Sequence, residues 1–239
     1  MAVFVLVHGA FEGGWCWSRV ARGLRLAGHD VYTPTLTGCG ERFHLLSRDV
    51  SLATHIEDVT AVLRYEDLSE VVLVGHSYGG TVVTGVADRE PQRLRRLVYL
   101  DASAPVSGQT ASGAFAEGTA AKLLELAASD SWLLPPLSPK AVGVTAPRAV
   151  EMLETRRHAH PMRTLFEPLI LDHGDTQVPR TYVTCTLREG LLELFGEDPL
   201  APFLARARRE SWEVREIAAG HDVMLIEPES VIRLLLEHA

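Results

Sequence analysis

The chain has 239 residues, the length of one large domain or of one domain carrying an insertion at ~150 residues per domain. Its 23 Lys and Arg stand against 31 Asp and Glu, a net charge of −8. A chain this acidic repels phosphate backbones, which excludes nucleic acid as a partner. No apolar run approaches the ~18 residues of a membrane span. The N-terminal apolar run lacks a basic start and stops at His8-Gly9, unlike a secretion signal. Cys16, Cys39 and Cys185, odd in number and far apart, make neither a disulfide framework nor a zinc site. The expectation is a soluble, cytoplasmic monomer or homodimer without membrane contact.

Short apolar runs alternate with amphipathic stretches. Ala2 to Val7 is too short and β-branched for a helix and reads as a buried strand. A helix from about Trp15 to Leu26 closes at Gly28, and a short strand follows at Asp30 to Thr33. Ser51 to Tyr65 reads as a helix with Ser51 as its N-cap. Strands at Glu70 to Val74 and Leu97 to Leu100 flank a helix at Thr81 to Asp88. Two more strands, Thr181 to Thr184 and Trp212 to Ile217, flank a helix at Pro199 to Arg209, and a last helix begins near Glu229. Six strands alternating with helices predict an α/β fold, a mostly parallel sheet covered on both faces. Residues 102 to 178 break the alternation. They offer no convincing strand, more than half of the 13 prolines, and helical pieces near Thr119–Ala128, Ala149–Arg157 and Met162–Leu171. The expected organisation is a core of residues 1–101 and 179–239 with a helical cap of residues 102–178.

Gly75-His76-Ser77-Tyr78-Gly79-Gly80 lies between a buried strand and a helix. G-x-S-x-G in that context is a nucleophile elbow, a turn so tight that side chains at the glycines would collide with neighbouring backbone. It lifts a serine hydroxyl above the sheet and aims a helix N-terminus at the reacting oxygen. His8-Gly9-Ala10-Phe11 ends the first strand, where a tight turn brings the N–H of Ala10 beside that of Tyr78, two donors for an oxyanion. Ala218-Ala219-Gly220-His221-Asp222 follows the last strand and supplies the base that a serine hydroxyl needs. His8 and His76 read as loop braces, and His158 and His160, two apart on a helix, face different ways and make no metal pair. No metal or organic cofactor is expected, since neither zinc spacing nor G-x-G-x-x-G is present. The cysteines read as small apolar packing groups. Phe11, Trp15, Trp17, Phe115, Trp132 and Phe166 are candidates to line a pocket, with Phe11 and Trp132 foremost.

These segments resemble the α/β-hydrolase superfamily, and most closely its plant methyl esterase and hydroxynitrile lyase branch and the bacterial pyrethroid-type esterases. The resemblance rests on Val5-Leu6-Val7-His8-Gly9-Ala10, Gly13-Gly14-Trp15, the elbow, Cys185-Thr186, and Gly220-His221 with Glu227-Pro228. It implies Ser77 as nucleophile, His221 as base, and Ala10 and Tyr78 as the oxyanion hole.

The third triad member departs from the pattern. A carboxylate must hold the histidine tautomer. The plant esterases carry an Asp two residues after the C-T, where this chain has Arg188. Haloalkane dehalogenases and some lipases carry the acid one helix and one strand after the elbow, where this chain has Asp101. Asp101 is favoured, with Glu193 and Glu189 as the alternatives. The expected activity is hydrolysis of a carboxylic ester, or of a lactone or thioester, of a mainly apolar small molecule. A hydroxynitrile-lyase-like C–C lyase would resemble a chain with Thr in place of Gly9 and Lys in place of Asp222. A non-catalytic ligand receptor on this scaffold often lacks the serine or the histidine.

Overall fold

The computed structural model describes residues 1–113, 118–126 and 132–239. Six strands form one sheet: β1 (Val3–Val7), β2 (Asp30–Tyr32), β3 (Val71–His76), β4 (Leu94–Leu100), β5 (Arg180–Cys185) and β6 (Glu213–Ile217). Their order is β2-β1-β3-β4-β5-β6 and every pairing is parallel. The expected α/β sheet is therefore present. β4 begins three residues earlier than the apolar run suggests: Leu94 and Arg96 pair with Val71 and Val72 of β3, and the Arg96 side chain reaches Thr181 and Glu213 across the neighbouring strands.

Parallel strands need crossovers, and the helices that make them cover both faces. They are α1 (Ser18–Leu26), α2 (Leu52–Tyr65), α3 (Gly79–Arg89), α4 (Thr119–Leu126), α5 (Pro147–Arg156), α6 (Met162–Phe166), α7 (Glu189–Phe195), α8 (Ala201–Arg209), α9 (Val223–Ile226) and α10 (Pro228–Leu236). Strand alternation divides the core. Val5, Val7 and Leu73 pack with α2, α3 and α8 on one face. Phe4, Leu6, Val72 and Val74 pack with α1, α9 and α10 on the other. None of the helices described is long and apolar enough to cross a membrane.

Between β4 and β5 the described residues contain α4, α5, α6 and a two-residue antiparallel pair, Leu133–Leu134 with His160–Pro161. That pair was not expected; two residues carry no readable alternation. Pro168 follows α6 closely, so the helix stops at Phe166 rather than Leu171, as the residue before a proline avoids helical geometry. His158 and His160 lie beyond the end of α5 and are not helical. The segment Gly14–Trp17 is a 3-10 turn leading into α1. Two short helices, α7 and α9, were missed for the same reason as the strand pair.

Ser51 caps α2 as expected. Its Oγ accepts the Thr54 N–H at 3.2 Å while the Ser51 N–H donates to Thr54 Oγ1 at 3.3 Å. Ser51→Ala should lower stability by about 1 kcal/mol, read as a shifted urea midpoint with an unchanged slope.

Candidate active site

Strand β3 is buried throughout and delivers Ser77 to the C-terminal edge of the sheet. Ser77 has φ +52°, a left-handed conformation that a side chain adopts only under constraint. The constraint is the turn. A Cβ on Gly75 would stand 2.6 Å from the Gly79 carbonyl oxygen, and one on Gly79 would stand 2.6 Å from that of His8. Only glycines let β3, α3 and the end of β1 approach so closely.

His221 follows β6 and is buried. Ser77 Oγ lies 2.9 Å from its Nε2, and its Nδ1 lies 2.6 Å from Asp101 Oδ2. In that arrangement Nδ1–H donates to the carboxylate and Nε2 accepts from the hydroxyl. Asp101 is the first residue past β4, fully buried, and also strained at φ +47°. Its Oδ1 accepts the Cys185 N–H at 2.9 Å. Arg188 grips both oxygens, Nη1 to Oδ2 and Nη2 to Oδ1, each at 2.6 Å. Burial opposes the Asp101 charge, but the His221 hydrogen bond and the Arg188 guanidinium outweigh it and hold the carboxyl down at about 2. The alternatives stand elsewhere: Glu193 is exposed and paired with Lys140, and Glu189 opens α7 on the surface. The structure thus brings Ser77, His221 and Asp101 into one line and leaves both glutamates outside it.

Above the line is a cavity of about 70 Å³ whose wall includes Ser77, His221, Ala10, Phe11 and Tyr78. Its remaining lining is almost entirely apolar, with Leu123, Leu134 and Leu165 from between β4 and β5 and Leu191, Phe195 and Leu200 from after β5. Phe11 holds a left-handed φ of +68° in the turn after β1. Among the described residues, no backbone carbonyl accepts the N–H of Ala10 or of Tyr78.

The sequence model of the alpha/beta hydrolase family matches residues 4–234. The chain belongs to that family. It is similar to the carbendazim hydrolyzing esterase of Nocardioides sp. (strain SG-4G), 38% identical over 98% of both chains. It is also similar to salicylic acid-binding protein 2 of Nicotiana tabacum, 26% identical over 99% of this chain and 96% of that one. Among solved structures, an extracellular alpha/beta-hydrolase from a Paenibacillus species matches with a TM-score of 0.84 and 25% identity, covering 100% of this chain and 99% of the other.

Several pocket candidates lie away from this hydrolase's cavity. Trp132 and Phe166 line a separate hollow, where Arg48 sits over the Trp132 ring at 5.4 Å. Trp17 is buried in the core and Trp15 packs under Arg156. Phe115 falls outside the described residues. The leucines that do line the cavity were missed, because a leucine facing a pocket and one facing a core look alike in sequence. His8 braces its loop by accepting the Leu36 N–H at Nε2, 3.0 Å. All three cysteines are free and buried.

A second group, not foreseen, sits behind His221. Arg157 Nη2 donates to Glu12 Oε1 at 2.8 Å and also to Asp222 Oδ2. His76 Nε2–H donates to the His221 carbonyl at 3.0 Å, and its Nδ1 faces Glu12 Oε2 at 3.7 Å. These four side chains are at most 5% exposed. Burial works against the Glu12 charge, yet the contacts with His76 and Arg157 hold its carboxyl well below the usual range. Ligand-type atoms of His76, His221 and Asp222 lie within 4.8 Å of one another, but His221 spends both nitrogens on Asp101 and Ser77, and Asp222 is spent on Arg157. At Gly9, a Cβ would stand 3.0 Å from Ser77 Cβ, which leaves a threonine crowded against the elbow.

Arg157→Met would strand two buried carboxylates. It should cost about 3–5 kcal/mol of stability in urea unfolding, whereas Arg19→Met, at the exposed pair with Glu229, should stay within ~0.5 kcal/mol.

Proposed function

We propose that this protein is a serine hydrolase that cleaves a carboxylic ester of a mainly apolar small molecule through an acyl-enzyme on Ser77. The observation that carries this reading is the Ser77–His221–Asp101 line opening on an apolar cavity. The ester enters with its carbonyl carbon above Ser77 Oγ and its oxygen toward the N–H groups of Ala10 and Tyr78. Oγ attacks as its proton passes to His221 Nε2, and Asp101 stabilises the resulting imidazolium. The oxyanion is held by the two N–H groups, placed at the turn after β1 and at the start of α3. The C–O bond to the alcohol breaks, and the alcohol leaves with the proton from Nε2. A water molecule then gives its proton to Nε2 and attacks the acyl carbon. Ser77 Oγ recovers the proton, and a carboxylic acid departs.

The reading includes the domain organisation. Residues 1–101 and 179–239 act as the catalytic core, and residues 102–178 act as a cap whose Leu123, Leu134 and Leu165 close the acyl or alcohol side of the site. The cavity wall favours apolar substrates, because an uncompensated charge placed there would lose its hydration. The name of the Nocardioides relative, identical at 38% of positions, brings methyl carbamates onto the same test panel as aliphatic and aromatic esters. Three buried free thiols suit a reducing, cytoplasmic setting.

The decisive experiment combines fluorophosphonate labelling with turnover of an activated ester. The wild type should be labelled on Ser77, and Ser77→Ala should escape labelling and lose about 10⁴–10⁶ in rate while keeping its fold. Near-normal turnover by the Ala variant would refute the assignment. For the acid, Asp101→Asn should lose about 10²–10⁴ in turnover, with little change for Glu189→Gln or Glu193→Gln. Because triad members act as a unit, Asp101→Asn added to Ser77→Ala should cost almost nothing more. Collapse of a glutamate variant beside an active Asp101→Asn would move the acid beyond β5.

A further inference from the structure

We propose that Arg188 is a positioning residue that, by neutralising Asp101, keeps His221 in its basic form at lower pH than an unneutralised carboxylate would allow. The proposal rests on the assignment of Ser77, His221 and Asp101 as a triad.

The carboxylate of Asp101 is shared. Its Oδ2 accepts from His221 Nδ1 and from Arg188 Nη1, both at 2.6 Å. Its Oδ1 accepts from the Cys185 N–H and from Arg188 Nη2. The guanidinium is itself fixed, with Nη2 donating to Thr184 Oγ1 at 2.9 Å and Nε 3.4 Å from Asp198 Oδ2. A planar fork closed on both oxygens cannot slide, so the carboxylate is oriented for the histidine before substrate arrives. Its charge matters as much as its shape. An isolated buried carboxylate would strongly favour the imidazolium beside it, and a permanent cation on the same two oxygens cancels much of that attraction.

The base must be neutral to take the Ser77 proton, so kcat/KM falls on the acid side as the free enzyme takes up a proton there. Removing the cation favours imidazolium and moves the acid limb to higher pH. The other groups facing His221 do not change with position 188. They are His76 at the end of β3, with ring centroids 4.8 Å apart, Asp222 on the same loop, and Glu12 and Arg157 behind it. Tyr182 and Cys185, near Asp101 on β5, are held neutral by burial. Their field is common to the parent and the variants and drops out of the comparison.

The test is the pH profile of kcat/KM for an activated ester with wild type, Arg188→Met, Arg188→Gln and Arg188→Lys. The two neutral variants should shift the acid limb upward by about one pH unit, an approximately tenfold loss well below the limb, and the lysine variant should keep it near its parent position. Asp198→Asn, at a partly exposed side chain, frees the Arg188 charge and should shift the limb slightly downward. That variant decides the sign if neither neutral substitution folds. Titration of the His221 ring by NMR in the Ser77→Ala background should move in step with the kinetics. An unmoved limb with kcat/KM reduced evenly at every pH, or an unmoved limb with full activity, would overturn the proposal and leave Arg188 a structural clamp. Ser77→Ala assayed alongside separates the two failures. If it is inactive while the limb stays put, only the role of Arg188 falls. If it remains active, the triad itself falls.

Discussion

Strand β4 lies against β3 in a register that sets Leu100 beside His76, and the next residue on each strand is Asp101 and Ser77. Both leave the sheet at the same level, and both turn through a left-handed conformation, φ +47° and +52°. The turn is tied across the strands by the Ser77 N–H donating to the Leu100 carbonyl at 3.4 Å, and by the Ser103 N–H donating to the Ser77 carbonyl at 3.0 Å. A slip of one residue would send every side chain of β4 to the opposite face. Leu97 and Tyr99 are packed into one core and Val98 and Leu100 into the other, so a slip would have to repack both. The distance between the serine and the acid is thus set by the packing of a core strand on both its faces.

His221 comes from outside this pair, and its loop is held from behind. The His76 ring donates to its backbone carbonyl, and His76 in turn faces Glu12, which is locked to Arg157. Glu12 belongs to the turn after β1 and Arg157 to the chain just past α5. One buried guanidinium therefore ties the turn that carries Ala10, the loop that carries His221 and the segment over the cavity. Such a cluster is a weak source of net stability, because desolvation consumes most of the attraction. Its value lies in geometry, since none of the three segments can move without separating buried charges. The same cluster occupies Asp222 beside the histidine, whose carboxylate accepts from Arg157.

The parts of this architecture that were legible in the sequence are those written in short-range pattern. Runs such as Val3–Val7 and Val71–Val74, buried on both faces, announce a parallel sheet. The glycines around Ser77 announce the elbow because a close approach of backbones admits no other residue. Glu12, Arg157 and Asp222 were invisible as a unit, being 145 and 65 residues apart, since no local rule says which buried charges will meet. The cavity lining was hidden for a different reason. Leu191 and Phe195 sit one helical turn apart on a seven-residue helix, too short for its apolar stripe to be told from noise. Trp132, an aromatic of the 102–178 stretch, instead packs beneath the exposed Arg48, a contact that no local pattern distinguishes from a pocket wall.

Position 188 draws these threads together. The chain after β5 passes close to His221 Nδ1, which makes that stretch a natural place for an acid, and the resemblance to plant methyl esterases directs attention there. An arginine at such a place cannot orient a histidine directly, since both would be donors. It needs an acceptor between them, and a carboxylate accepting from each satisfies both and balances the cation. Asp101, reaching the same point from the adjacent strand β4, supplies it. The cation at 188 and the carboxylate at 101 therefore depend on each other: without Asp101 the arginine would lack its main partner, and without Arg188 a fully buried carboxylate would keep only His221 and the Cys185 N–H. An arginine where a carboxylate is expected is, on this physical ground, itself a pointer to an acid on the neighbouring strand.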